Sequence, residues 1–360
     1  MSERVLVALS GGVDSAVAAS ILMEAGFAVT GVTFLLGADE APPLPAGAAA
    51  EALRIAAALG IACEVVDLRE QFAAAVVDYF AGEYSRGRTP NPCVICNRKI
   101  KFTALLQKAA ENMIPRIATG HYARVAYCPR KGRYLLKKGR DVAKDQSYML
   151  YNLTQEQLAR TLFPLGELTK EEVRRRARKS IPIAADQKES QEVCFIPGGD
   201  YRTFLERRGL EAKPGPIVSQ SGRVLGRHRG IPFYTVGQRR GLGLSSPAPL
   251  YVLEIRAAEN TIVVGERSGL YRSAATVEEI NLVALTALEE EESIAVKIRY
   301  RAPAVPARLL PLPGGRGARL LFETPQPAVT PGQAAVFYRG DLVLGGGLIS
   351  AAYEQGGAGG

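Results

Sequence analysis

Apolar positions in the first half of the chain switch between two periods. Residues 5–9, 29–36, 63–68 and 116–118 are short continuous apolar runs, the pattern of strands buried on both faces. Between them, residues 14–25, 48–59, 70–84 and 98–112 repeat apolar positions at helical spacing. Strand and helix in alternation predict an α/β domain with a doubly wound parallel sheet. Ligands of such sheets bind beyond the carboxyl ends of the strands. Residues 10–15, Phe34 and residues 119–122 fall there. Residues 39–47, rich in Pro and Ala, read as a mobile loop.

Residues 124–128 and 133–138 flank a turn and predict a hairpin; residues 169–179 predict a charged helix. From Lys213 the texture changes: Gly and Pro punctuate short runs and the helical period is gone. Residues 250–255 and 261–264 flank a polar turn, and from Thr276 short β-type runs suggest a small barrel. The expected organisation is an α/β catalytic domain over 1–200, a small basic central domain over 201–268, a C-terminal β-barrel over 269–355 and a disordered tail over 356–360.

With 360 residues the chain has room for two or three domains. No apolar run reaches the length of about 18 residues needed to cross a membrane, and the first residues lack a signal-peptide pattern, so the expected location is the cytoplasm. Five cysteines is an odd number and they are not spread as a disulfide framework; in that compartment they suggest metal binding or catalysis. The net charge is +9. Between Tyr201 and Pro249, nine basic residues face only Glu206 and Glu211, which points to a polyanionic partner.

The sequence SGGVDS, residues 10–15, lies between the first apolar run and the first helical stretch. A glycine turn opening a helix presents N–H groups to an anion, and the helix N-terminus adds about half a positive charge. Asp14 is the unusual member, since a carboxylate beside a phosphate is repulsive unless Mg²⁺ lies between them. The turn also lacks the lysine of GxxxxGK[ST]. Together these features point to a nucleotide whose pyrophosphate is held and released, with chemistry at the α-phosphate.

TPNPCVICN, residues 89–97, places Cys93 and Cys96 as C-x-x-C at a loop-to-helix junction, where the helix dipole is expected to lower a thiol pKa. The prolines argue against helix before Cys93. With Cys194, three thiols suit an iron–sulfur cluster that keeps one iron open; three unrelated cysteines are the alternative. Cys63 reads as a small buried hydrophobe and Cys128 has no chemical context. KDQSY, residues 144–148, joins a cation, a carboxylate and an amide before a helix, and is either a site or a helix cap. His121 sits at the ligand-bearing sheet edge. GQRRGLGL sets Arg239 and Arg240 among glycines, which suits phosphate-backbone contact.

Taken in order, SGGVDS, TPNPCVICN, IKF, TGHYAR, KDQSYML, Cys194-Phe195-Ile196, GQRRGLGL, Arg299-Tyr300-Arg301 and TPGQAAVFY resemble the bacterial and organellar tRNA-specific 2-thiouridylases, a branch of the PP-loop ATP pyrophosphatases. The resemblance covers nearly the whole chain. It implies a PP-loop domain, a small central domain and a barrel similar to the second domain of elongation factors. It implies ATP-dependent 2-thiolation of uridine 34 in tRNAs for lysine, glutamate and glutamine. The uracil is adenylated, pyrophosphate and AMP leave, ATP and Mg²⁺ are used, and the anticodon arm is the tRNA contact. The sulfur comes from a donor protein or hydrosulfide.

By position, the resemblance assigns Ala8, Leu9, Ser10, Gly11, Gly12, Val13, Asp14, Ser15, Phe34 and Gly120 to ATP. It assigns Asn91, Pro92 and Cys93 to the target base. His121, Lys144, Asp145, Gln146, Arg299, Tyr300 and Gln333 would contact tRNA, as would Arg239 and Arg240. Cys96 becomes the nucleophile and Cys194 the persulfide carrier. Much of the family has Asp where this chain has Cys93, so the chain falls with a C-x-x-C subgroup that looks cluster-dependent. That subgroup resemblance implies Cys93, Cys96 and Cys194 as ligands of a [4Fe–4S] cluster instead. Competing readings are another PP-loop synthetase, and an RNA-binding protein with a relic nucleotide fold.

Overall fold

The computed structural model describes residues 2–37, 46–185, 193–315 and 317–354. The chain divides into two compact units. One comprises Met1–Val77, Cys93–Gly199 and Asp341–Leu344; the other comprises Asp78–Pro92, Asp200–Gly340 and Gly345–Gly360.

The first unit is built on a parallel sheet. Strand β1 (Arg4–Ala8) pairs in parallel with β2 (Ala28–Leu35) on one side and β4 (Arg116–Ala118) on the other. Strand β3 (Cys63–Asp67) continues the sheet beyond β2. The side chains of Val5, Val7 and Leu9 fall on one face by the two-residue period of a strand. There they pack with Ala19 and Leu22 of helix α1 (Val13–Glu24) and Ala52 and Ala56 of α2 (Ala46–Leu59). Helix α1 is apolar nearly all round because it is buried on two sides. Val13, Val17 and Ala18 pack on Val173 and Ala177, which belong to a helix farther along the chain.

Beyond β4 the chain forms the expected hairpin, β5 (Ala123–Cys128) and β6 (Arg133–Lys138). A two-residue strand, β7 (Thr161–Leu162), extends the parallel sheet beside β4. The mobile loop expected at 39–47 and the tail at 356–360 fall largely or wholly outside the described residues; of the former, residues 46 and 47 begin α2.

Two expected helices are interrupted. Residues 70–84 do not form one α-helix: Arg69–Phe72 and Asp78–Ser85 are α-helical, with a π-helical turn Ala73–Val77 between them. Residues 98–112 likewise begin with a π-helical turn, Asn97–Lys101, which follows helix α3 (Pro92–Cys96) and precedes α4 (Phe102–Glu111). Helix α3 starts on Pro92, one residue earlier than the prolines suggested. Proline is tolerated at the first helical position, where its missing N–H has no intrahelical partner to lose.

In the second unit, β8 (Gly215–Ser219), β9 (Val224–His228), β10 (Tyr251–Arg256) and β11 (Thr261–Gly265) form a sheet in the order β10-β11-β8-β9. The C-terminal strands are β12 (Tyr271–Leu282), β13 (Glu292–Lys297), β14 (Val305–Pro311), β15 (Gly317–Pro327), β16 (Ala334–Arg339) and β17 (Leu342–Tyr353). They run in the order β12-β15-β14-β13-β16-β17, and β12 pairs with β17 to close a six-stranded barrel. Closure removes the open edges that a flat sheet of these strands would expose.

Leu6, on the face of β1 opposite Val5 and Val7, is 1% exposed and flanked by β2 and β4. Leu6→Ala is expected to cost about 2–5 kcal/mol, read from the urea midpoint of the first unfolding transition; a loss below about 1 kcal/mol would show that this strand is not the centre of the core.

Candidate active site

The turn between β1 and α1 is held by its own serines. Ser15 Oγ accepts from Ser10 N at 3.1 Å and donates to Gly12 O at 2.9 Å. Gly11 has φ +78°, and a Cβ there would lie 2.8 Å from Ala48 O, so only glycine fits. Gly12 is the N-cap of α1 and makes no side-chain cap hydrogen bond. The turn therefore offers a helix N-terminus without a side-chain cap, at the carboxyl end of the central strand. These residues fit a nucleotide phosphate.

Gly120 follows β4 and meets this turn directly. A Cβ on Gly120 would lie 2.7 Å from both the Asp14 carbonyl carbon and the Ser15 nitrogen. Ala8 and Phe34 stand near the ends of β1 and β2, part-buried, and Leu9 is buried in the sheet core.

Asp14 is not an isolated carboxylate. Tyr122 donates its hydroxyl to Asp14 Oδ1 at 2.7 Å, and Lys170 Nζ donates to both carboxylate oxygens at 2.8 Å. Lys170 is the first residue of helix α5 (Lys170–Ser180), whose Thr169–Glu172 capping box fixes its start. No local signal in the sequence joins residues 14 and 170; the pair exists because α5 packs Val173 and Ala177 onto α1.

The thiols lie elsewhere in the same unit. Cys93 and Cys96 sit on α3, part-buried and buried respectively, while Cys194 is exposed in a turn. The apolar run at 193–196 has a strand-like pattern. These residues form a turn in which Phe195 is buried and its ring lies 5.5 Å from that of Phe72. The expected lowering of the thiol pKa by a helix dipole is overturned. Burial pushes Cys93 up and Cys96 up to about 12, against the opposing pull of Lys101. Desolvation of a charged thiolate outweighs the dipole of a five-residue helix.

Lys101 is the common neighbour. Its charge is within electrostatic reach of Cys96, Cys194 and Cys93, and of His121. It ends the π-helical turn that follows Cys96. From sequence it figures only within the IKF segment of the family resemblance, with no role of its own. Although the three thiols share this neighbour, among the described residues no three His, Cys, Asp or Glu side chains are arranged to hold a metal ion. The three thiols thus do not stand as a preformed metal-ligand group among the described residues. All five cysteines are free thiols; Cys63 packs on the sheet core, half-exposed, and Cys128 ends the hairpin.

His121 bonds through Nδ1 to Thr119 Oγ1 at 2.9 Å, and its ring lies 6.0 Å from that of Phe102 and 6.4 Å from that of Phe163. Burial, aided by Lys101, pushes its pKa down to about 3, so the ring is neutral. In KDQSY the three leading residues diverge. Asp145 is buried and accepts from Gly139 N, Ser147 N and Ser147 Oγ, so its carboxylate organises the turn rather than facing solvent. Gln146 accepts from Tyr122 N through Oε1 and donates its own N–H to Tyr122 O, which ties KDQSY to TGHY. Lys144 N donates to Asp141 Oδ1.

In the second unit, Arg239 and Arg240 are exposed. Arg299 donates to the carbonyls of Pro327 and Ala328, and the ring of Tyr300 lies 5.7 Å below Lys297 Nζ. Gln333 donates to Thr89 O at 2.8 Å, and Thr89 N donates to Pro331 O at 2.8 Å. The turn carrying Gly332 thus fixes the backbone that leads to Asn91, part-buried, and Pro92, buried.

A family model described as the tRNA methyl transferase HUP domain matches residues 3–198. Two more, a tRNA methyl transferase PRC-barrel domain and an aminomethyltransferase beta-barrel domain, match 202–266 and 272–349. The tRNA-specific 2-thiouridylase MnmA of Moorella thermoacetica is 50% identical over 353 residues, covering 96% of this chain and 98% of that protein. The chain belongs to the tRNA-specific 2-thiouridylase family. A second 2-thiouridylase, from Carboxydothermus hydrogenoformans, is 49% identical over 96% of this chain and 97% of its own length. Among solved structures, a 4-thiouridine synthetase–RNA complex with bound ATP has a TM-score of 0.38 at 19% identity, covering 57% of this chain and 50% of that one. A likeness of that degree carries no inference about 2-thiouridylase chemistry.

Two outcomes follow from this geometry. Gly120→Ala forces the turn away from its backbone neighbour, and a displacement near 1 Å is expected to weaken ATP use about 10²-fold, measured as kcat/KM for ATP. An unchanged value would mean that Gly120 does not set the turn. His121, neutral in the fold, takes up a proton in the unfolded chain below about pH 6.5. Its folded pKa is depressed, so stability is present above that pH and falls as pH drops toward 3. His121→Gln is expected to lose about 2 kcal/mol less than the unmodified chain between pH 7 and pH 5, by urea denaturation at each pH.

Proposed function

We propose that this chain is an ATP-dependent tRNA-uridine 2-sulfurtransferase that acts on the wobble uridine, position 34, of tRNAs for lysine, glutamate and glutamine. The single observation that carries the reading is three thiols gathered around Lys101 in the same unit as the SGGVDS turn. A turn that holds phosphates and thiols that can hand over sulfur are the two halves of an activation-and-thiolation reaction. The descriptions of the family models speak of methyl transfer, whereas both curated relatives are named for thiolation, and the thiols favour the latter.

Uracil O2 attacks the α-phosphate of ATP. The new O–P bond replaces the bridging P–O bond, whose electron pair leaves on pyrophosphate, and the N3 proton passes to solvent. Mg²⁺ bound with the triphosphate would supply charge neutralisation to the departing group. The α1 N-terminus and the backbone of residues 10–15 face the phosphates. Adenylation turns a poor oxygen leaving group into AMP.

The thiol arrangement supports a persulfide route. Exposed Cys194 receives a sulfane sulfur from a donor. The terminal sulfur attacks C2, the C2–O bond breaks and AMP leaves with its electron pair. Cys96 as thiolate then attacks Cys194 Sγ. The S–S bond to the new sulfur breaks, 2-thiouridine leaves and regains its N3 proton, and a Cys96–Cys194 disulfide remains for a dithiol reductant. Lys101 is the charge that opposes the burial of Cys96. No step of this route passes through an iron–sulfur cluster.

The tRNA contacts would be Lys144, Gln146 and His121 from one unit and Arg239, Arg240, Arg299, Tyr300 and Gln333 from the other, with Asn91 and Pro92 at the target base. Asp145 acts through the turn it holds.

The test uses purified chain, ATP, undermodified tRNA for glutamate and a persulfide donor. The wild type should release AMP and yield 2-thiouridine by mass spectrometry of the digested tRNA. Asp14→Ala should stay folded and form no AMP; Cys96→Ser and Cys194→Ser should lose thiolation while still releasing AMP. Cys93→Ala should keep at least half of the thiolation. Complete loss in a folded, iron-containing wild-type comparison would overturn the persulfide route, and wild-type AMP release by Asp14→Ala would overturn the site.

A further inference from the structure

The SGGVDS turn has a charge problem that its own residues do not solve. Residues 8–15 contain one carboxylate, Asp14, and no cation. An anion arriving at the α1 N-terminus meets N–H groups and a half positive charge, but also the full negative charge of Asp14 in the first helical turn. The structure brings a cation from 156 residues farther along: Lys170 Nζ stands 2.8 Å from each Asp14 oxygen.

Lys170 is held at both ends. Its main-chain N–H donates to Asp141 Oδ2 at 2.9 Å, and Asp141 Oδ1 also receives the N–H groups of Ala143 and Lys144. Its stem is buried, with the side chain 9% exposed, and its ammonium lies 5.8 Å from the Tyr122 ring centre. Tyr122 in turn fixes Asp14 Oδ1 by its hydroxyl. Stability alone is a weak reason for such a pair, because the desolvation of two charges roughly offsets their attraction. An ammonium is a compact point charge on a flexible stem, with three N–H groups that can serve a carboxylate and a phosphate oxygen together.

We propose that Lys170 supplies, from a separate helix, the phosphate-binding cation that the turn lacks, with Asp14 and Tyr122 as the positioning residues that hold its ammonium there. Its ligand is the pyrophosphate portion of the nucleotide. As the bridging P–O bond of ATP breaks, its electron pair goes to pyrophosphate, and Lys170 stands against that growing charge. This rests on the reading of the turn as an ATP site.

The test titrates inorganic pyrophosphate, with Mg²⁺ present, into the full chain by calorimetry, and separately follows tRNA-dependent AMP formation. Lys170→Met, checked for folding by circular dichroism, should bind pyrophosphate at least about tenfold more weakly and lower kcat about 10²–10³-fold. Lys170→Arg, which keeps the charge, should restore most of the binding. Should Lys170→Met fail to fold because Asp14 is left unpaired, the double variant Asp14→Asn with Lys170→Met removes both charges. If the pair were only structural, the double variant, with no net charge removed, would bind pyrophosphate as the wild type does; the proposal expects the same tenfold loss. Wild-type binding by either folded variant overturns it. A wild-type chain that binds pyrophosphate through Lys170 but forms no AMP with tRNA would instead overturn the assigned reaction and leave the lysine's role standing.

Discussion

The ion pair between Asp14 and Lys170 is the interaction on which the turn at residues 10–15 depends. It joins three parts of the chain that share no local sequence relation: the first turn of α1, the TGHY segment through Tyr122, and the start of α5. Each contributes backbone already committed elsewhere. Gly120 touches the Asp14–Ser15 peptide, Gln146 is tied to Tyr122, and Asp141 anchors both Lys170 and the turn before KDQSY. A phosphate turn built only from residues 10–15 would carry an uncompensated carboxylate. The surrounding segments are placed where they neutralise it.

The thiol site answers a different constraint. Three thiols and a neutral histidine surround one lysine, and burial resists ionisation of Cys93 and Cys96. Among the described residues, the nearby charge that favours a thiolate is Lys101. The π-helical turn Asn97–Lys101 sets its place relative to Cys96: an extra residue in the turn rotates the side chains that follow it. Such turns cost hydrogen-bond geometry and are frequent at functional sites.

Much of this was legible in the sequence because the signals were local. The strand periods of β1 to β4, the glycine turn, the hairpin and the barrel of short strands all rest on neighbouring residues. What escaped rests on long-range packing. Nothing near residue 14 announces Lys170, and nothing near Cys96 says that α3 will be buried deeply enough to reverse the sign expected from a helix dipole. The resemblance places Asp145 among the tRNA contacts; three hydrogen bonds commit its carboxylate to holding its own turn. The π-helical turns at Ala73–Val77 and Asn97–Lys101 leave the apolar period almost intact, so periodicity reads straight through them.

The different exposures of the thiols bear on the proposed order of sulfur transfer. A thiol that must meet a donor has to be reachable, and Cys194 is exposed. A thiol that must act only after sulfur has reached C2 is better kept protonated until then, because a free thiolate would be consumed by oxidants or by the donor itself. Cys96, buried and pushed up to about 12, meets that need. Its attack requires the balance to tip toward thiolate, and the group positioned to tip it is Lys101. On the proposed persulfide route, burial and one lysine thus suit two chemically identical side chains to different roles: Cys194 to receive sulfur and Cys96 to release it.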